Sequence, residues 1–390
     1  MNILYVLSSS LPSAGSTKAF LQMMLEVKKR GVLPFVLLPD KVGIYTDLVR
    51  IGVNVMSLTY RPNTYPRYQG IKNKMLFLPR MIARLVVNYL AIHKLKKWCN
   101  HHSIDLIHTN VGIIHVGYET ARRLRIPHIY HIREYGDLDF GYHYFPNKLF
   151  FLQQLNAPNS FNICITKDIQ SYFNQTTHDN SRVIYDGVCP KQTELPCYKK
   201  EPFFLYAGRI EEAKDVLFLI KAYHSFLEKA DVSYRLLLAG DILSPAYYRE
   251  IKQNINLWSM ESQIEFLGRV DNLPLLMRQA TAIIIPSHKE GFGLCMPEAM
   301  FNGCLAMGRN TGGTKEQFDN GLALCQEEIG LRFDTIEELA ELMVLVSKRT
   351  ADYSRYVQRA FYTVNSLYTV EENANRVYSF YKKIFYDTDN

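Results

Sequence analysis

The sequence predicts an α/β protein built from two doubly wound domains, each a parallel sheet with helices on both faces. Three observations predict this. Short runs rich in Val, Ile and Leu alternate with longer helical patterns. The series runs twice, on either side of a polar, Pro-containing stretch from Pro190 to Pro202. The chain has 390 residues, more than one hydrophobic core ordinarily serves.

The expected strands of the first half are Ile3 to Leu7, Pro34 to Leu38, Asn54 to Leu58, Leu106 to Thr109, His128 to His131, Asn162 to Ile165 and Arg182 to Ile184. Those of the second half are Phe203 to Tyr206, Arg235 to Ala239, Gln263 to Leu267, Thr281 to Ile285 and Leu305 to Met307. Each is short, apolar and bounded by turn residues or a helical pattern, as fully buried parallel strands are. The aromatic-rich segment Val377 to Phe385 reads as a closing helix. The expected domains are residues 1–190 and 200–370, with a helix at about 370–390 packing back on the first. Open sheets of this kind bind ligands at the carboxyl ends of their strands, so a site is expected between two such domains.

Composition narrows the class. Seven cysteines lie scattered without a C-x-x-C pair or zinc-like His spacing, and an odd count excludes a complete disulfide framework. Reduced thiols and a cytoplasmic location follow as expectations. The start, MNILYVLSSS, lacks a basic leader region and reads as a first strand. No apolar stretch has transmembrane length. The net charge of +7 is unevenly spread: residues 1–195 carry 23 Lys and Arg against 12 Asp and Glu. No acid occurs between Asp47 and Asp105. A one-signed surface of this size should attract an anionic partner.

Motifs at strand ends carry the chemistry. EGFGLCMPEAM, residues 290–300, follows an apolar strand and leads into a helix expected to start near Pro297. A glycine-containing turn at a helix N-terminus presents backbone N–H groups and the positive end of the helix dipole to a phosphate. Glu290 and Glu298 flank that turn, placed to hold hydroxyl groups. AGRIEEAK, Ala207 to Lys214, also follows a strand. Gly208 permits a tight turn, while Arg209 and Lys214 are spaced to grip one anion from two sides. TGGTKEQF, Thr311 to Phe318, supplies a double glycine before another helix.

Taken in order, GR(x4)K, LAGD at Leu238 to Asp241, FLGRV at Phe266 to Val270, PSHKEGFGLCMPEAM(x2)G and TGGT(x)E resemble the motifs of family 4 of the retaining glycosyltransferases. The resemblance spans about Phe203 to Phe318. It implies the GT-B fold, two Rossmann-like domains whose parallel sheets face each other across a cleft. It also implies that Arg209 and Lys214 bind the donor diphosphate, that Glu290 lies by the donor sugar and that Glu298 binds the ribose hydroxyls. Backbone N–H groups around Gly291, Phe292, Gly293 and Leu294 would touch phosphates and sugar, and Arg269 and Val270 would lie near the base. His131, in HIREYGDLDF, would lie by the sugar or the acceptor. The first half matches more weakly. Its first turn, SSSLPSAGSTKAF, has Gly15 as the only glycine where the family often has two, and VIYDGV places Asp186 where the family has Asn.

The activity so implied is transfer of a sugar, with retention, from a nucleotide-diphosphate donor, a UDP-sugar favoured, to a hydroxyl of a growing glycan. The acceptor would be lipid-linked, as for capsule and exopolysaccharide enzymes of bacteria, which the His131 to Phe140 segment loosely resembles. No metal or other cofactor is called for, because Arg209, Lys214 and the helix N-terminus near Leu294 would stabilise the leaving diphosphate as charge builds; in the front-face substitution the resemblance implies, the leaving phosphate oxygen takes the acceptor's proton, with Glu290 as a covalent nucleophile the less favoured route. Asp137 and Asp139 form a D-x-D, but alone and after a first-domain strand they read as an acceptor-side or structural loop. His101, His102, His108 and His115 lack the spacing of ligands and read as surface or packed residues.

Residues 67–97 combine an apolar helical pattern with basic residues. They read either as a crossover helix with solvated cations or as a face for an anionic membrane at the inner leaflet. No nucleic-acid recognition motif is present. A non-catalytic partner of an active glycosyltransferase is the alternative function. An oxidoreductase is disfavoured by the missing G-x-G-x-x-G after the first strand.

Overall fold

The computed structural model describes residues 1–12, 14–66 and 75–388. Arg67, Lys72 and Lys74 of the basic stretch lie outside the described residues. The chain forms two compact units, Met1–Gly187 with Val370–Asn390, and Val188–Thr369.

The first unit is built on a seven-stranded parallel sheet. Its strands are β1 (Asn2–Val6), β2 (Leu33–Leu38), β3 (Asn54–Ser57), β5 (Leu106–Thr109), β6 (His128–Ile132), β8 (Ser160–Cys164) and β9 (Ser181–Val183). The spatial order is β3-β2-β1-β5-β6-β8-β9. β1 shows why the sheet needs cover on both faces. Ile3, Tyr5 and Leu7 point into one core, which also takes Phe20, Met24 and Val27 of the helix Gly15–Lys29. Leu4 and Val6 point into the other, with Ile92 and Leu95 of the helix Phe77–His101. The C-terminal helix Val370–Thr388 joins the first of these cores through Ala374, Val377, Phe380, Tyr381 and Ile384. Two strands without a sequence signal, β4 (Thr64–Pro66) and β7 (Tyr142–Tyr144), pair antiparallel in a separate ribbon.

The second unit repeats the plan with six parallel strands: β10 (Glu201–Ala207), β11 (Arg235–Ala239), β12 (Ile264–Gly268), β13 (Ala280–Ile285), β14 (Leu305–Arg309) and β15 (Leu331–Phe333). Their order is β12-β11-β10-β13-β14-β15. The order reverses beside β10, and β10 and β13, which flank that switch, carry the GR and EGFG motifs at their carboxyl ends. Phe204, Tyr206, Leu236, Leu238 and Ile284 enter one core with the helices Val216–Lys229 and Ile336–Lys348.

All twelve expected strands form, each within about two residues of its expected ends. β15, only three residues long, was not legible. None of the seven cysteines forms a disulfide. Among the described residues, no helix is long and apolar enough to cross a membrane.

Candidate functional site

Three strand ends of the second unit are tied together through their backbones. Gly208 N–H donates to Ala239 O at 2.9 Å, Gly240 N–H to Gly268 O at 2.7 Å and Ile210 N–H to Asp241 O at 2.9 Å. The glycine of LAGD is required here. Gly240 has φ +149°, and a Cβ on it would fall 1.8 Å from Gly208 O. The motifs GR, LAGD and FLGRV are therefore one surface, the carboxyl edge of β10, β11 and β12.

Beside that edge lies a hollow of about 70 Å³ lined by Tyr206, Gly208, Lys214, Ser287, Glu290, Gly293, Leu294 and Cys295. Lys214 Nζ lies 2.6 Å from Glu290 Oε1, and Ser287 Oγ donates to the same oxygen at 2.7 Å. Burial alone would raise the Glu290 pKa. Lys214, Ser287 and the Arg209 guanidinium outweigh it and hold the carboxyl below its usual range. Burial likewise disfavours the charged Lys214, yet Glu290 pulls its pKa above the ordinary lysine value. Both groups are charged at neutral pH. Arg209 is more exposed, pairs with Glu211 at 2.8 Å, and acts electrostatically on both. The hollow and its edge thus carry two paired cations, Lys214 with Glu290 and Arg209 with Glu211, next to a short helix, Cys295–Phe301. This helix begins two residues before Pro297. Glu298 sits in its first turn, and Gly293 precedes it at φ +79°.

The double glycine of TGGT has a packing role. The helix Gly312–Cys325 starts against the Glu290–Gly293 turn, and Gly313 N–H donates to Glu290 O at 2.9 Å. A Cβ on Gly312 would meet Glu290 O at 2.7 Å, and one on Gly313 would meet Gly291 O at 2.6 Å. Gln317, on the same helix, donates to Phe292 O. Sequence reasoning did not single out three supporting groups. Ser287 orients Glu290; Gln317 holds the turn; Tyr206 donates to Arg209 O at 2.7 Å. Ser287 could have been read from its place at the end of β13. Gln317 and Tyr206 had no signal.

Of the expected residues, Gly208, Lys214, Glu290, Gly293 and Leu294 line the hollow, and Gly291 and Phe292 belong to its turn. Arg269 and Val270 follow the carboxyl end of β12, Arg269 exposed. Gly15 and His131 belong to the first unit. Gly15 is the exposed first residue of its helix. His131 is fully buried in β6, with Nδ1 3.1 Å from His108 Nε2, and offers no surface to a ligand in this conformation. His108 Nδ1 contacts Tyr381 OH at 2.6 Å, so this polar chain reaches the C-terminal helix. Burial, with Arg133 nearby, holds the His131 pKa well down, and the ring is neutral.

Arg133, two residues on, is buried too. Its Nη1 pairs with both carboxylate oxygens of Asp186, and its Nε donates to Asn110 O at 3.1 Å. The acidic residue in VIYDGV is thereby explained: Asp186 supplies the countercharge to a buried guanidinium. The D-x-D is structural. Asp139 accepts from Tyr135 N–H at 2.9 Å and Gly136 N–H at 2.7 Å, closing its own loop. Asp137 accepts from Tyr172 OH at 2.5 Å. Among the described residues, no group of three His, Cys, Asp or Glu could hold a metal ion.

Residues 191–360 match the model of the family described as glycosyl transferases group 1. An uncharacterized glycosyltransferase of Methanocaldococcus jannaschii is 24% identical over 321 residues, covering 80% of this chain and 88% of the relative. A solved structure of HepE from Anabaena, in complex with UDP, superposes with a TM-score of 0.76 at 20% identity, covering 98% of this chain and all of the other. The chain is a hexosyltransferase-type glycosyltransferase of the GT-B fold. A third relative, from Campylobacter jejuni, is 26% identical to the glycosyltransferase over 139 residues, 34% of this chain and 37% of its own. It bears the name GalNAc-alpha-(1->4)-GalNAc-alpha-(1->3)-diNAcBac-PP-undecaprenol alpha-1,4-N-acetyl-D-galactosaminyltransferase.

Proposed function

We propose that the glycosyltransferase moves a hexose from a nucleotide-diphosphate donor, a UDP-sugar, to a hydroxyl of a lipid-linked glycan, with retention of configuration. The observation that carries this reading is the hollow beside β10 and β13. It brings Lys214, Arg209 and the glycine turn to one place with Glu290. The cations neutralise charge that builds on the departing diphosphate. They supply positive charge that a metal would otherwise bring, so the reaction runs without one. Glu290, kept ionised, accepts from hydroxyls of the donor sugar, and Glu298 accepts from those of the ribose. The backbone N–H groups of Gly293 and Leu294 face the phosphates, and Arg269 and Val270 border the base. The acceptor hydroxyl attacks from the face the diphosphate leaves, and a phosphate oxygen takes its proton. HepE was solved with UDP, which supports a uridine donor.

His131 acts at a distance: with His108 it forms part of the buried polar set around Arg133 and Asp186. The Campylobacter relative is named for an undecaprenol-diphosphate-linked acceptor, which favours a lipid-linked glycan here; family 4 membership of the exopolysaccharide and capsule type rests on the motif order from Arg209 to Thr314 and on the His131 to Phe140 segment. The helix Phe77–His101 carries no acid and ends in Lys94, Lys96, Lys97 and His101, a face suited to an anionic membrane surface. The enzyme would then work at the inner face of a bacterial membrane. A transfer assay with UDP-glucose, UDP-galactose and their N-acetyl forms against a prenyl-diphosphate-linked saccharide tests the reading. Failure of every nucleotide sugar to bind or turn over would refute it.

A further inference from the structure

Lys214 and Glu290 meet at 2.6 Å from chain segments 76 residues apart. Each arrives on a loop, so the spacing between the loops decides whether the pair forms. Lys214 closes a single 3-10 turn, Glu212–Lys214. Asp215 is the joint between that turn and the helix Val216–Lys229, with φ +48° and ψ +44°. This left-handed backbone is uncommon for a residue with a side chain, and Asn and Asp tolerate it best. On the other loop, Pro286 follows β13, and its carbonyl belongs to the peptide bond that leads into Ser287. Ser287 in turn donates to Glu290 at 2.7 Å.

Arg309, the last residue of β14, spans the two loops. Its Nη1 donates to Asp215 Oδ2 at 2.7 Å and to Pro286 O at 3.4 Å. That nitrogen carries two hydrogens, one for each acceptor. The guanidinium carbon lies 4.5 Å from the centre of the Phe218 ring, and Phe218 N–H donates to Asp215 O at 3.1 Å. One side chain therefore grips the residue after Lys214 and the residue before Ser287. Beyond Arg309 the chain runs into the helix Gly312–Cys325, whose start packs on the Glu290 turn. Arg309 does not line the hollow. The cations that act directly on Glu290 are Lys214 and Arg209.

We propose that Arg309 is a positioning residue of the donor site: by holding Asp215 and the Pro286 carbonyl together, it sets Lys214 against Ser287 and Glu290. This rests on the reading of the hollow as the place of the donor diphosphate. It adds that the site is assembled from the end of β14, a strand that contributes no group to the hollow itself.

The test is titration of the Glu290 carboxyl by NMR in the full chain labelled with carbon-13 glutamate. The Glu290 signal is the one missing from Glu290→Gln. Glu290 faces Lys214, Ser287 and Arg209, with Tyr206 and Cys295 lining the same hollow. Two variants break the tie from opposite ends. Arg309→Met removes a positive charge. Asp215→Gly removes a negative one and suits φ +48° without strain. Direct electrostatics alone would move the Glu290 midpoint up in the first and down in the second. Displacement of Lys214 moves it up in both, because burial then goes unopposed. A rise of about one pH unit, tenfold in proton affinity, is expected in both variants. Met343→Ala, which opens the buried core of the same unit away from these loops, should leave the midpoint in place. Calorimetry with UDP should show affinity about tenfold weaker in both loop variants and unchanged in Met343→Ala. Midpoints that move in opposite directions, that stay in place, or that rise equally in Met343→Ala would overturn the role of Arg309. So would native UDP affinity in both loop variants. Failure of the native protein to bind UDP would instead sink the donor-site reading, and the titration, which needs no ligand, would still judge Arg309.

Discussion

Replacing Lys214 with methionine keeps most of the apolar stem and removes one charge. The structure sets the size of the effect. Lys214 Nζ and Glu290 Oε1 are 2.6 Å apart, with side chains 20% and 13% exposed. Breaking a fully buried pair costs about 3–5 kcal/mol, so this slightly wetter pair should cost about 2–3 kcal/mol at pH 7. The pH dependence gives a sharper signature. In the native protein the Glu290 pKa is lowered, so its contribution is present above the ordinary value of 4.5 and is lost as pH falls through the lowered one. In the variant the main lowering influence is gone, and burial pushes the same carboxyl up. The stability gap between the two proteins should be full at pH 7 and close as pH falls through the lowered Glu290 value. Lys214 itself, with a raised pKa, contributes fully below 10.5 and loses that contribution as pH rises through the raised value. Urea unfolding at a series of pH values measures the gap, and sugar transfer at pH 7 should fall about 100-fold or more. A gap that does not change with pH, or transfer within tenfold of native, would refute the reasoning.

Four further outcomes follow from named contacts. Gly313→Ala sets a Cβ 2.6 Å from Gly291 O and should destabilise the protein by about 1–3 kcal/mol while lowering transfer, as read by thermal unfolding and a rate assay. Asp186→Ala strands the buried Arg133 guanidinium and should cost about 3–5 kcal/mol in urea unfolding, whereas Asp186→Asn, which keeps an acceptor, should cost less. Glu290→Gln keeps the Ser287 contact yet loses the charge, and its transfer rate should fall with little change in fold by circular dichroism. Neutralising Lys94, Lys96 and Lys97 together should weaken binding to anionic vesicles by about 100-fold at low salt, at about 1 kcal/mol per charge, as measured by sedimentation.

The parts of this protein that were legible in the sequence are those where one residue type answers one local demand. Buried parallel strands read as runs of Val, Ile and Leu because both faces are covered, so β1, β10 and β13 could be placed closely. The glycines of LAGD and TGGT could be found, but not their reason. Gly240 and Gly313 are needed because another loop's carbonyl lies within 3 Å of where a Cβ would be, and that neighbour is distant in sequence. The same limit hid the partner of Asp186. Asp for Asn looked like an isolated departure until the fold placed it on Arg133, 53 residues earlier. His131 was legible as a residue after a strand; its complete burial was not, since it depends on Tyr381 and the C-terminal helix closing over His108. β4, β7 and β15 escaped notice because their three residues, TYP, YHY and LRF, lack the Val–Ile pair that marked the equally short β9.

The most direct test of the central claim is a crystal structure of the full chain soaked with UDP. The account predicts the diphosphate within hydrogen-bond distance of Lys214 Nζ and the Gly293–Leu294 backbone, with the ribose hydroxyls on the Glu298 carboxylate. UDP bound elsewhere, or a hollow still closed by the Lys214–Glu290 pair at saturating UDP, would contradict it.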